Sequence, residues 1–169
     1  GKYVWNSGEV WNGQWENGPL RGLVYWFPDA GEPGGGNRPM PAAKQIFAGD
    51  KPLEVFGWPS PNFVDFDGDG DLDLLCGEFV DRFTYFENVG SRTKPKYSAG
   101  KFLKDRNSSD GSGLLKMDLE MIVPSAIDWD GDGDVDLVCG DEDGRVALIE
   151  NTGTFKDGAP VFRSPSYFK

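Results

Sequence analysis

An all-β fold is predicted by three observations on the amino-acid sequence. The chain has 169 residues, among them 24 glycines and 12 prolines, a density of helix breakers that leaves little room for long helices. Short apolar runs rich in Leu, Val and Cys, each closed by Gly, read as buried strands. One block of sequence also occurs twice: Leu72-Asp73-Leu74-Leu75-Cys76-Gly77 returns as Val135-Asp136-Leu137-Val138-Cys139-Gly140, 63 residues later.

Taken in chain order, the same offset governs the neighbouring elements. Pro61 matches Pro124, and Phe63-Val64 matches Ala126-Ile127 as the apolar entry to an acidic loop. Phe83-Thr84-Tyr85-Phe86 and Arg145-Val146-Ala147-Leu148-Ile149 are the next predicted strands, each running into a Glu-Asn-x-Gly turn. Lys96-Tyr97 and Val161-Phe162-Arg163 follow Pro95 and Pro160 and are predicted to begin the outer strands. An earlier copy of the turn lies at Tyr25-Trp26-Phe27-Pro28-Asp29-Ala30-Gly31, with Gly31 standing 59 residues before Gly90. The organisation predicted is one domain in three parts. Residues 1–45 form a partial unit with a long Trp/Gly-rich loop, 46–108 a unit with the first acidic loop, and 109–169 a unit with the second. Four short antiparallel strands per unit at a period near 60 residues is the pattern of β-propeller blades.

The two acidic loops are the chemistry of the chain. Asp65-Phe66-Asp67-Gly68-Asp69-Gly70-Asp71-Leu72-Asp73 recurs as Asp128-Trp129-Asp130-Gly131-Asp132-Gly133-Asp134-Val135-Asp136. Five carboxylates at alternate positions repel one another unless a cation neutralises them, and hard oxygens in a glycine-punctuated loop suit calcium. In the predicted register, Asp65, Asp67 and Asp69 take positions one, three and five, Gly70 makes the sharp turn, Asp71 offers its carbonyl, and Asp73 closes the site. Asp128, Asp130, Asp132, Gly133, Asp134 and Asp136 take the same roles, so two calcium ions are expected, one per loop. An EF-hand is excluded, because position twelve is Cys76 or Cys139 rather than glutamate and the flanks read as strands.

Composition narrows the function classes. A net charge of −11 argues against nucleic acid or an anionic membrane surface as partner. The loops hold 10 of the 28 acidic residues, so two calcium ions would bring −11 to −7. No apolar run reaches the length of a membrane span, and Gly1-Lys2 is read as the start of a mature or excised segment. With no histidine, the usual general base, zinc ligand and nucleophile pair are missing from this segment. Cys76 and Cys139 lack close CxxC spacing and read as small buried hydrophobes.

The loop followed by an apolar strand and Gly resembles the FG-GAP/VCBS repeat, which also forms the calcium-bearing blades of integrin α-subunits. Phe56-Gly57, eight residues before Asp65, resembles the Phe-Gly of that name. The second unit departs, with Leu119-Glu120 at the matching place, and the Gly-Ala-Pro element is replaced by Cys76-Gly77-Glu78 and Cys139-Gly140-Asp141. The resemblance covers roughly residues 46–163, and 21–45 more weakly. It implies a propeller, usually seven-bladed, in secreted, periplasmic or cell-surface proteins, completed here by further blades. The expected function is recognition of a polysaccharide or an extracellular protein. Trp5, Trp11 and Trp15 are candidate sugar platforms, with Arg82 and Glu120 as further ligand-binding candidates. The alternatives are a propeller-fold polysaccharide lyase or glycoside hydrolase, and a structural or adhesive spacer. For the enzyme, Glu78, Asp81, Glu120, Asp141, Glu142 and Asp143 are the candidate carboxylates, and Arg82 and Arg145 the candidate anchors.

Overall fold

The computed structural model describes residues 2–4, 10–12, 21–27 and 42–169, and among them there is no helix. Two four-stranded antiparallel sheets dominate. The first is ordered in space as Lys101–Phe102, Phe83–Phe86, Asp73–Gly77 and Ser60–Val64; the second as Val123–Ile127, Asp136–Gly140, Val146–Ile149 and Ser166–Tyr167. Their inner registers correspond: Leu74 lies opposite Phe63 and Phe86, and Leu137 lies opposite Ala126 and Ile149.

Alternation of side chains along these strands sends them to opposite faces. Leu74, Cys76 and Phe86 pack into one core with Val24, Ile46, Leu53, Val55 and Tyr97. Leu75, Phe83 and Tyr85 pack into a second core with Leu137, Cys139, Ala147 and Ile149 of the next sheet. The first sheet is therefore covered on both sides, which is why Asp73–Gly77 is buried at every position rather than at alternate ones. Cys76 and Cys139 are free thiols without exposure, and burial pushes both up to about 12.

The first strands of the two sheets approach closely. Asn62 Nδ2 donates to the Pro124 carbonyl at 2.6 Å, and its Oδ1 accepts Ala126 N–H at 3.4 Å. At Gly77 a Cβ would lie 2.4 Å from the Ile122 carbonyl and 2.7 Å from Pro124 Cδ, so the spacing requires glycine. Gly140, at the matching place in the second sheet, faces open space.

The outer strands differ from the sequence expectation. Lys101–Phe102 and Ser166–Tyr167 form those edges, not segments beginning at Lys96 or Val161. Tyr97 makes only single bridges to Asn88 and Ala48, while its ring is buried. The chain reaches the edge of Phe83–Phe86 because Gly100 lets the backbone press against Phe86 and Thr84, 2.7 Å from where a Cβ would stand. Val161–Phe162 instead joins a three-stranded sheet with Asn151–Lys156 and Lys104–Asp105, the last pairing parallel. Ahead of the first large sheet lie two-stranded pairings: Arg21–Leu23 with Glu54–Phe56, Tyr25–Trp26 with Lys44–Gln45, and Phe47–Ala48 with Lys51–Pro52.

Candidate functional site

Each acidic loop joins the first and second strands of a large sheet, and both are built by the same backbone contacts. Asp65 accepts Gly68 N–H at 2.8 Å and Gly70 N–H at 2.9 Å; Asp128 accepts Gly131 N–H at 2.8 Å and Gly133 N–H at 3.2 Å. Asp67 and Asp69 accept the amides two residues on, as do Asp130 and Asp132. Such short side-chain-to-backbone bonds are what aspartate offers a turn. Gly70 and Gly133 both stand at φ 93°, where a side chain would be strained.

These turns bring the carboxylates together. One oxygen from each of Asp65, Asp67 and Asp69 lies within 4.8 Å of the others, and so do oxygens of Asp128, Asp130 and Asp136. Each set could hold a metal ion, because a carboxylate oxygen that accepts one N–H keeps a further lone pair. Asp71 is buried, and its Oδ1 has no hydrogen-bond partner. Burial, and then the charges of Asp69, Asp67 and Asp65, push that carboxyl up. Asp71 stands outside the converging set; the set itself is all carboxylate, a donor chemistry that fits a hard cation. Asp134 is less buried and lies over Gly153, where a Cβ would be 2.6 Å from its Oδ2.

Asp73 and Asp136 work differently from the rest. Asp73 accepts Phe66 N–H at 3.1 Å, Asn88 N–H at 2.7 Å and the Tyr85 hydroxyl at 2.9 Å. Asp136 accepts Trp129 N–H at 2.9 Å and Asn151 N–H at 2.7 Å. Each ties its loop to the Glu-Asn-x-Gly turn two strands away, and Asn151 Nδ2 completes the tie by donating to the Val135 carbonyl at 3.0 Å. Burial raises the Asp73 carboxyl to about 6 against the bonds that favour its charge. The anchoring role of Asn88 and Asn151 was visible in sequence only as a turn signal.

The loop aromatics part company. Phe66 is 6% exposed and meets Tyr85 edge-on at 5.7 Å, whereas Trp129 is 50% exposed and lies against Phe168.

Of the ligand-binding candidates, Trp5 and Trp15 lie outside the described residues, and Trp11 pairs with Tyr3 in a two-stranded sheet. Glu120, Glu142 and Asp143 are exposed, and the Glu120 carbonyl accepts Glu142 N–H. Asp141 is committed to Arg145, whose Nε donates to it at 3.0 Å. Glu78 and Arg82 share a cleft of about 410 Å³ with Arg21, Glu54, Thr84 and Phe102. Glu78 is buried and accepts the Thr84 hydroxyl at 2.5 Å, and burial raises its carboxyl. Sequence reasoning missed Arg21, Glu54 and Phe102, which reach this cleft from distant segments. The chain matches no protein-family model, no curated protein and no solved structure.

Proposed function

We propose that the chain is a calcium-stabilised segment of an extracellular β-propeller of the FG-GAP/VCBS type, serving recognition of carbohydrate or protein. The observation that carries this reading is the pair of aspartate loops built to one hydrogen-bond plan, each bringing three carboxylate oxygens within 4.8 Å of one another. Calcium fits because it takes six to eight oxygens in adaptable geometry, whereas magnesium keeps its waters. In this reading Asp65, Asp67, Asp69, Asp71 and Asp73 hold one ion, and Asp128, Asp130, Asp132, Asp134 and Asp136 hold the other. The ions neutralise the loops; they do no chemistry on a substrate.

The stacking of the sheets supports the propeller. The Leu137, Cys139, Ala147 and Ile149 face packs back onto the first sheet, and the corresponding Leu74, Cys76 and Phe86 face packs back onto Val24, Ile46, Leu53 and Val55. The opposite face of the second sheet leaves Val123, Ile127, Trp129 and Val146 between 40% and 56% exposed. A further blade laid there, as the second sheet is laid on the first, would bury them. Recognition is supported by aromatic side chains open to solvent on the preceding segment, among them Tyr25, Trp26, Phe27 and Trp58.

Thermal unfolding with calcium and with excess EGTA tests the metal. Saturation at about a hundred times Kd contributes about 2.7 kcal/mol per site, and in a chain of this size each kcal/mol moves Tm by about 2–4 °C. Identical melting curves under the two conditions overturn the reading. A glycan and extracellular-protein array with the calcium-loaded chain tests recognition.

A further inference from the structure

The acid–arginine pair that follows the second strand occurs in both large sheets, closed in one and open in the other. In the second sheet Asp141 accepts Arg145 Nε at 3.0 Å and the Arg145 backbone N–H at 3.1 Å. Asp118 lies 3.5 Å from Arg145 Nη1, and the guanidinium sits 4.4 Å over Tyr167, with only Nη2 buried and unpartnered. In the first sheet Glu78 is one methylene longer, and its Oε1 turns to Thr84, a position held by Ala147 in the second. Glu78 N–H donates to the Arg82 carbonyl at 3.1 Å, but no hydrogen bond joins the Arg82 guanidinium to the Glu78 carboxylate. The guanidinium lies 4.8 Å over Phe102, its Nε is buried without a hydrogen-bond partner, and Asp81 stands off at 3.7 Å. The ring therefore holds the guanidinium in place, its buried Nε ion-paired with Asp81, while its Nη groups make no hydrogen bond among the described residues beside a cleft of about 410 Å³.

The other walls of that cleft define what fits. Arg21 is already paired with Glu54 at 2.7 Å, so it adds a polar rim rather than a second free cation. Glu54, Glu78 and Thr84 offer acceptors, and Phe56 and Phe102, each 38% exposed, offer ring surface. A ligand matching all three features carries one carboxylate, several hydroxyl donors and an apolar ring face. An acidic peptide would bring further carboxylates against Glu54 and Glu78. The geometry points to a binding site for an acidic sugar residue, its carboxylate received by the planar fork of Arg82 and its hydroxyls by Glu78, Thr84 and Glu54. This deepens the recognition reading above and rests on it.

The test is calorimetric titration of the calcium-loaded chain with oligosaccharides of glucuronic and galacturonic acid, their neutral counterparts, and a polyglutamate peptide. The site predicts binding of a uronate, weakened about tenfold or more by Arg82→Gln, partly by Arg82→Lys, and unchanged by Arg145→Gln. Unaltered melting temperatures of the Arg82 variants tie any loss to the contact itself. Uronate binding indifferent to Arg82 overturns the proposal, as does Arg82-dependent binding of polyglutamate in place of sugar. Binding of neutral glycans or a protein on the array, with no uronate bound, overturns the cleft and leaves the recognition reading standing. No binding of any kind overturns both.

Discussion

Tyr85 donates its hydroxyl to Asp73 Oδ2 at 2.9 Å from the neighbouring strand, joining the end of the acidic loop to the centre of the second core. The carboxylate is 1% exposed and accepts two backbone amides besides. Removing the hydroxyl leaves those amides bonded but strips one charge-assisted bond from a buried group. Tyr85→Phe is expected to cost about 1.5–3 kcal/mol, read from urea unfolding. A variant as stable as the parent removes the tie from the account of the fold.

The same carboxyl makes stability depend on pH. Its folded value, about 6, lies above the ordinary 3.8, so the native chain holds a proton that the unfolded chain has released. The contribution is full below about 3.8, falls as pH rises, and is gone above about 6. In calcium-free buffer the parent is expected to gain on Asp73→Asn by about 2 kcal/mol between neutral pH and pH near 4. Parallel stability–pH curves for the two proteins contradict it.

Gly77 and Gly140 form a matched pair. Gly77→Ala drives a Cβ to 2.4 Å from the Ile122 carbonyl, and the obstruction is backbone that cannot turn aside. A loss of about 2–3 kcal/mol or more is expected. Gly140→Ala meets nothing within 4 Å and should be neutral or stabilise slightly, by about 0.5 kcal/mol. Equal losses at the two sites would mean that the close approach is not what Gly77 serves.

Phe66 and Trp129 give a second pair, equivalent in loop position and opposite in burial. Phe66→Ala opens a cavity in the core and is expected to cost about 3–5 kcal/mol. Trp129→Ala removes a larger ring that is already half in water, and a cost below about 1.5 kcal/mol is expected. Denaturant midpoints decide between them.

Charge removal within each loop separates the ions. Asp67→Asn and Asp130→Asn keep an oxygen for the amides of Asp69 and Asp132 while dropping one negative ligand. Each is expected to weaken calcium at its own loop by about tenfold or more and leave the other site intact. Calorimetric traces unchanged by either substitution contradict the assignment.

What could be read in advance was what local chemistry determines. The loops follow from aspartates that bond amides two and three residues on, and the inner strands from apolar runs closed by glycine. The outer strands are two residues long, and tertiary contact at Gly100 chooses them over the more apolar Tyr97 segment. Asn62 reads as an ordinary polar strand residue; only the proximity of Pro124 and Ala126 makes it a bridge. The contrast between Arg82 and Arg145 was equally hidden, since both follow an acid by four residues. It depends on one methylene and on Thr84 facing where Ala147 stands.

The joint between the two large sheets unites unlike faces, the side of one bearing Tyr85 with the side of the next bearing Cys139. A two-fold contact satisfies itself when two copies meet; a front-to-back contact does not, and it regenerates an adhesive surface at every step. Arrest comes only through closure into a ring or through a cap of different character. Among the described residues the side of the second sheet carrying Val123, Ile127 and Val146 stays exposed, so the stacking of the two sheets has a direction.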